Sequence, residues 1–142
     1  EGGPKGFQSL AGYIFGKNKE EKTMAMTTPV FMGDAGGRKS MSFVMPSDYW
    51  KDEGKLKDEA PTPLDGTNIE KVMVGKVTRA AMWYGGMSSS ETQKKKKEEL
   101  LKAIEEDGEW RAIDEPITAN YNDPFTSPWK RRNEVQVKVE RV

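Results

Sequence analysis

The chain has 142 residues, with 23 Lys and Arg against 23 Asp and Glu, so its formal net charge is zero. This length predicts one domain, and the balanced charge disfavours nucleic-acid binding, which usually shows as a basic excess. Histidine and cysteine are both absent, which excludes disulfides, thiol nucleophiles and the imidazole that most haem and metal sites use. No apolar run approaches the ~18 residues of a membrane span, and we expect no signal peptide in the opening Glu1-Gly2-Gly3-Pro4.

The first predicted element is a helix. Pro4 suits its first turn, and Gly16 suits the position after its last residue. Between them, apolar residues recur at helical spacing and form one stripe, made of Phe7, Leu10, Ala11, Ile14 and Phe15.

Two strands are predicted next, over residues 23–31 and 39–46, where apolar and polar side chains alternate. Pro29 marks an edge or the end of central pairing. A glycine-rich turn at 33–37 separates the two strands. The polar stretch 47–68 is broken by prolines, and we interpret it as a surface excursion rather than a domain linker.

The second half begins with two predicted strands, 69–74 and 77–84, with a bend at Gly75. A helix follows, where Ser90 and Gln93 have the spacing of a capping box. Its apolar stripe and the glycine beyond its end are Leu100, Leu101, Ile104 and Gly108.

The end of the chain is predicted to be extended. Residues 110–121 form an extended segment interrupted at Pro116, and 122–133 form a loop. The last strand, 134–142, alternates cleanly, with its valines on one face.

The two halves repeat the same order of elements. Met26 to Val30 and Ile113 to Ile117 share the pattern apolar-x-x-Pro-apolar. We therefore predict one domain, 1–142, built from two repeats at about 1–74 and 75–142. The first repeat has no strand ahead of its helix, which leaves a sheet edge open. We expect residues upstream of Glu1, or another chain, to cover that edge.

Five short segments, in this order along the chain, resemble the SOUL haem-binding protein family. They are Gly16-Lys17-Asn18, Met24 to Val30, Met41 to Ser47, Tyr121 to Phe125, and Arg131 to Val135. The amino-acid sequences of the second and third segments are most similar to the plant and algal plastid branch of this family. The resemblance implies an α+β fold, namely a distorted antiparallel barrel of two pseudo-symmetric α/β repeats with two flanking helices. It also implies a strand before the first helix, a tetrapyrrole ligand along that helix and neighbouring strands, and a chloroplast location.

The candidate ligand-binding residues form an apolar and a basic group. In the apolar group, flexible methionines suit an adaptable pocket, although ordinary core filling is the favoured alternative. In the basic group, Lys and Arg clamp the two propionates of a haem with charge-assisted bonds, the alternative being a solvated basic loop. The ten residues are Lys5, Phe7, Leu10, Tyr13, Ile14, Met24, Met26, Lys130, Arg131 and Arg132.

No catalytic or metal-binding spacing is recognisable, so we expect a binding protein rather than an enzyme. The first hypothesis is a tetrapyrrole carrier, buffer or sensor that holds haem weakly and exchangeably, without histidine ligation. The alternative is an accessory subunit of a larger assembly, possibly in a plastid, whose open sheet edge invites strand addition by a protein partner.

Overall fold

The structure is a computed structural model, and it describes residues 4–35, 37–50 and 60–142. Two helices, α1 (Pro4–Ile14) and α2 (Ser90–Asp107), accompany one antiparallel sheet of six strands. The strands are β1 (Val30–Ala35), β2 (Arg38–Phe43), β3 (Arg79–Gly85), β4 (Trp110–Ala112), β5 (Ile117–Asn120) and β6 (Arg132–Arg141). Short 3-10 turns occupy Ser47–Tyr49 and Pro128–Lys130.

The predicted α+β class, with antiparallel strands and two flanking helices, is confirmed. The strand order is β2-β1-β5-β6-β3, and β4 pairs with the carboxyl end of β6. The resemblance also implied a barrel, but the sheet formed by the described residues is not closed. Strands β2 and β3 each pair with one neighbour there, so they form its two edges.

Strand β6 and helix α2 form the larger core. Val135 and Val137 have no solvent-accessible surface and pack with Leu100 and Ile104 on the inner face of α2. The helix begins one residue earlier than the predicted capping box, because the Ser89 hydroxyl accepts the Thr92 backbone N–H at 3.1 Å. Over the described residues, neither helix is long and apolar enough to cross a bilayer.

Helix α1 forms a smaller core against β2. Tyr13 and Ile14 are buried with Met24, and the Phe7 ring meets the Phe43 ring edge-on, 6.1 Å between centroids. Gly16 lies just past the helix with φ 106°, a conformation that side chains disfavour, as the predicted helix end requires.

The predicted surface excursion returns to this smaller core at its end. Ala60 is buried, and the carbonyl of Pro61 accepts the Tyr13 hydroxyl at 2.5 Å. Residues 51–59 of the excursion lie outside the described part of the chain.

The predicted strand 23–31 is wrong over 23–29, which carry no strand. This segment lies against α1, where the Met24 N–H donates to the Ile14 carbonyl at 2.8 Å. Met24 is buried and Met26 is half exposed. The alternation of apolar and polar residues in the sequence therefore belongs to an irregular segment that packs on α1, and not to a strand. Strand β1 begins only after Pro29 and extends through Gly33, where a Cβ would lie 2.8 Å from Ile117 Cγ2.

The predicted strand 69–74 is also wrong. Residues 69–78 have no regular secondary structure, and β3 starts at Arg79. Val72, Met73 and Val74 are 69%, 48% and 57% exposed. A strand needs a neighbour to pair its backbone, and the described residues supply none to this segment.

The two halves are arranged around a pair of equivalent strands. Strand β1 directly follows Pro29, β5 directly follows Pro116, and the two strands pair with each other antiparallel. Their successors, β2 and β6, lie on the outer side of β1 and β5 respectively. The order of elements therefore parallels the predicted repeats, while the boundary near residue 74 stays a prediction.

We predict that Leu100→Ala lowers the free energy of unfolding by about 2–5 kcal/mol, because it opens a cavity under Val135 and Val137. Leu101→Ala is the matched control, since Leu101 is 37% exposed beside the 4% exposed Leu100. Urea denaturation of both variants measures the difference. Equal destabilisation by the two substitutions would contradict the proposed core.

Candidate functional site

One end of the sheet brings together residues from five strands. The register places Phe43, Val30, Asn120, Asn133 and Tyr84 opposite one another in a row across β2, β1, β5, β6 and β3. Directly paired residues share a face, and both helices pack on this face, since Phe43 contacts the α1 cluster and Tyr84 the α2 cluster.

The opposite face carries an aromatic pair. Trp83 lies opposite Glu134 in the β3–β6 ladder, and its ring stacks on Tyr121 with centroids 4.9 Å apart and planes tilted by 38°. Because β6 lies between β3 and β5, this contact spans β6 and covers Glu134, which is 4% exposed. Trp83 itself remains 55% exposed and so offers an aromatic surface to a ligand.

A cavity of about 420 Å³ opens beside this pair, and its lining combines aromatic and cationic side chains. The volume lies within the range of small-molecule sites, about 300–1,000 Å³. The lining residues are Trp83, Tyr84, Gly85, Arg131 and Arg132. We call this set the aromatic–arginine cavity.

Arg131 is the inner cation of the cavity. Its Nη2 donates to the Pro124 carbonyl at 2.8 Å, while its Nε is buried and has no hydrogen-bond partner among the described residues. A buried donor without an acceptor costs about 1–3 kcal/mol. A ligand carboxylate is the kind of acceptor that suits a guanidinium best.

The loop 121–131 and the adjoining end of the sheet are held by hydrogen bonds between side chains and the backbone. The Arg132 N–H donates to the Asn122 side-chain carbonyl at 2.6 Å, and the Asn133 amide donates to the Gly86 carbonyl at 2.8 Å. The Phe125 N–H donates to the Asp123 carboxylate at 2.7 Å. These bonds fix the loop, and with it the two arginines, relative to β3.

A polar network lies beneath the aromatic pair. The Tyr121 hydroxyl donates to the Glu134 carboxylate at 3.2 Å, and the Gln136 amide also donates to that carboxylate. Burial raises the pKa of Tyr121, and the negative charge of Glu134 and the hydrogen bond to it raise that pKa further.

The structure divides the predicted apolar group into exposed and buried members. Phe7 and Met26 are exposed, and Leu10 is half-buried. The remaining three belong to the small core, and they are Tyr13, Ile14 and Met24. Burial raises the pKa of Tyr13, and its hydroxyl is already bonded to Pro61, so it offers no free oxygen to a ligand.

The predicted basic group is divided: Lys5 is exposed on α1, and the other three residues lie near the opposite edge of the sheet. Arg131 and Arg132 line the cavity with β3, and Lys130 precedes them with its side chain exposed. Helix α1 packs at β2, and β1, β5 and β6 lie between β2 and β3. At about 4.8 Å per strand, the two groups are roughly 15–20 Å apart along the sheet, at the same end of it.

A second cavity of about 360 Å³ lies at the far end of α2. Its walls are mainly apolar, with Leu101, Ile104 and Trp110 among them. Within the described part of the chain, no cluster of His, Cys, Asp or Glu is arranged to hold a metal ion.

Sequence reasoning located the two arginines but missed Trp83 and Tyr121. Each belongs to a segment predicted as extended, but their contact depends on the β3–β6–β5 register. The only local signal was the adjacent Trp83-Tyr84 pair followed by two glycines, which is weak without knowledge of the neighbouring strand.

Comparisons with known proteins agree with the resemblance seen in the sequence. The family model described as "SOUL heme-binding protein" matches residues 1–138. "Heme-binding protein 2" from Homo sapiens is 30% identical over 134 residues, which cover 92% of this chain and 62% of the human protein. The chain thus spans less than two thirds of that relative's length.

We predict that Glu134→Gln lowers the pKa of Tyr121 but leaves it above its ordinary value, because the larger cause, burial, remains. Alkaline absorbance titration measures this, each variant being compared with its Tyr121→Phe counterpart. In the unfolded chain tyrosine ionises at about 10, below the folded pKa of Tyr121. The stability that Tyr121 contributes is therefore complete below the pKa of tyrosine in the unfolded chain, and it is lost as the pH rises through the folded pKa.

Glu140→Gln is the matched control, since Glu140 lies on the same strand but pairs with Arg111 at the other end of the sheet. A Tyr121 pKa unaffected by Glu134→Gln would mean that the carboxylate does not act on this hydroxyl.

Proposed function

Because the chain belongs to the SOUL haem-binding protein family, we propose that it binds a tetrapyrrole reversibly at the aromatic–arginine cavity. It acts there as a non-catalytic carrier, buffer or sensor. The propionates meet Arg131, Arg132 and Lys130, and the ring lies against Trp83. The human relative, named as a haem-binding protein, supports this class of ligand.

The observation that carries this proposal is that the side chains of Arg131 and Arg132 share the wall of one cavity with an exposed tryptophan. The guanidinium groups fit a carboxylate, and the indole fits a flat apolar ring. The lining therefore suits an acidic tetrapyrrole better than a sugar or a cation.

The proposed binding is weak and exchangeable. The chain has no histidine or cysteine, the usual sources of an iron ligand. The hydroxyls of Tyr13 and Tyr84 already bond to Pro61 and Ser88. Affinity then comes from apolar contact and paired charges, and a bound haem supplies the visible absorption and redox chemistry of its iron.

The exposed part of the predicted apolar group lies about 15–20 Å from Trp83 and packs on the other face of the sheet. Phe7 is 40% and Met26 is 47% exposed. We propose that they form a separate contact surface for a tetrapyrrole, with Lys5 beside them and Leu10 behind them. Tyr13, Ile14 and Met24 support this surface from the core.

We predict that Lys130→Ala/Arg132→Ala weakens haemin binding about tenfold, since each exposed charge pair contributes up to about 1 kcal/mol. Both side chains are exposed, so the fold is expected to survive. Titration with haemin, followed by its visible absorption band, measures the dissociation constant.

Lys102→Ala/Arg141→Ala is the control, because it removes two exposed cations, one on α2 and one at the opposite end of β6 from Arg132. Trp83→Ala tests the aromatic wall and is expected to weaken binding as well. If haemin binds all four proteins equally, or binds none of them, the proposed site is wrong.

A second candidate function, an accessory subunit, is favoured by the edge at β2. On its outer side β2 has no paired strand among the described residues. A strand from a protein partner would pair with this edge, as in strand addition.

Native mass spectrometry of the protein as isolated from its source discriminates the two functions. The accessory function predicts a stoichiometric complex that persists when tetrapyrrole is removed. If the protein is monomeric both with and without tetrapyrrole, the accessory-subunit function is wrong.

We also propose a plastid location, which is supported only by the wording of Met24 to Val30 and Met41 to Ser47. A fluorescent fusion of the full-length protein found outside plastids would reject it.

A further inference from the structure

We propose that loop 121–131 is a membrane-docking element, which inserts Phe125 and Trp129 into a bilayer surface carrying anionic lipid headgroups. Membrane docking does not depend on tetrapyrrole binding. The evidence for membrane docking is that this loop is exposed, has an ordered backbone and is positively charged.

The loop presents two large aromatic side chains to solvent. Phe125 is 96% and Trp129 is 81% exposed, the highest fractions among the exposed large apolar residues together with Val142. Scattered exposed apolar residues are normal on protein surfaces. Two aromatic rings four residues apart on one short loop are instead typical of an interaction surface.

This exposure belongs to an ordered loop. The Asp123 carboxylate accepts the Phe125 N–H at 2.7 Å, and the Asp123 carbonyl accepts the Thr126 N–H at 3.2 Å. Trp129 lies within the 3-10 turn Pro128–Lys130, and Arg131 ties that turn back to Pro124. The backbone thus holds both rings outward, so docking needs little additional ordering.

The charges beside the rings favour an anionic surface. Lys130 and Arg132 are exposed close to Trp129 in the sequence, and residues 121–132 contain three cationic side chains against one carboxylate, Asp123. Each Lys or Arg near an anionic bilayer contributes about 1 kcal/mol. Tryptophan prefers the headgroup region, where its ring is apolar and its N–H stays hydrated.

The size of the patch favours a bilayer over a protein partner. Two aromatic side chains bury about 150–250 Å² each. A stable protein interface needs about 800 Å² from each partner. Shallow insertion of a few side chains, assisted by basic residues, is how peripheral elements bind membranes.

The loop lies beside the proposed tetrapyrrole site, and what docking would do for that site rests on the proposed function. Arg131 belongs both to the loop and to the wall of the aromatic–arginine cavity. A docked loop would hold this cavity at the membrane surface, so an apolar tetrapyrrole dissolved in the bilayer could reach Trp83 with little exposure to water.

The test is vesicle co-sedimentation of the whole chain. The vesicles are phosphatidylcholine alone, or phosphatidylcholine with an equal part of phosphatidylglycerol. We expect binding to the mixed vesicles, little binding to the neutral ones, and release by salt. Phe125→Ala/Trp129→Ala and Lys130→Gln/Arg132→Gln should each reduce the partition coefficient at least about fivefold, the equivalent of ~1 kcal/mol.

Two matched controls accompany these variants. Phe15→Ala/Ile113→Ala removes two apolar side chains, 61% and 52% exposed, that lie away from the loop. Lys102→Gln/Arg141→Gln removes two exposed cations, one on α2 and one at the opposite end of β6 from Arg132. Both controls should bind vesicles as the unmodified chain does, and circular dichroism checks that every variant is folded.

Three results would overturn the proposal. The first is no binding to mixed vesicles. The second is an equal loss of binding in the loop variants and the controls. The third is that the chain does not bind vesicles but self-associates in solution, and that Phe125→Ala/Trp129→Ala abolishes this self-association. The last result would assign the loop to a protein interface. A haemin titration without vesicles reports separately on the tetrapyrrole site, so failure of one proposal is distinguishable from failure of the other.

Discussion

The burial of β6 on both of its faces is the constraint on which the rest of the structure depends. Val135 and Val137 pack under α2 on one face, and on the other Glu134 lies beneath Trp83 and Tyr121. Strands β3 and β5 pair along its two edges. A one-residue slip would exchange these two faces and place a carboxylate in the apolar core. The register that excludes this slip also positions Arg132 beside the end of β3.

The sequence predicted elements well wherever their residues repeat with the period of a regular structure. Helix α1, helix α2 and the valines of β6 lie where their spacing placed them, except that Phe15 of the first predicted stripe falls beyond the end of α1 and is 61% exposed. The strand predictions failed at 23–29 and 69–74, because apolar residues also occur in irregular segments. Met24 is buried by contact with α1 rather than by a sheet, and Val72, Met73 and Val74 are all exposed, without a neighbouring strand among the described residues. Pairing partners are not visible in local spacing.

The candidate site was predictable in its charges and not in its aromatic wall. Lys130 to Arg132 form a basic run that is visible in any reading of the sequence. The stack of Trp83 on Tyr121 joins residues 38 positions apart across β6, so only the strand register reveals it. The division of the predicted apolar group into exposed and buried residues was not predictable either. Helical spacing does not distinguish the exposed Phe7 from the buried Tyr13.

The most direct test of the central claim, that a tetrapyrrole lies against Trp83 and Arg131, is a nuclear magnetic resonance titration with a diamagnetic protoporphyrin. The four tryptophan indole N–H signals and the Arg Nε–H signals are followed together. The account predicts that Trp83 and the buried Arg131 Nε–H shift strongly, while Trp110, on the second cavity at the far end of α2, does not. Shifts at Trp110 with none at Trp83 and Arg131, or no shifts at all, would contradict it.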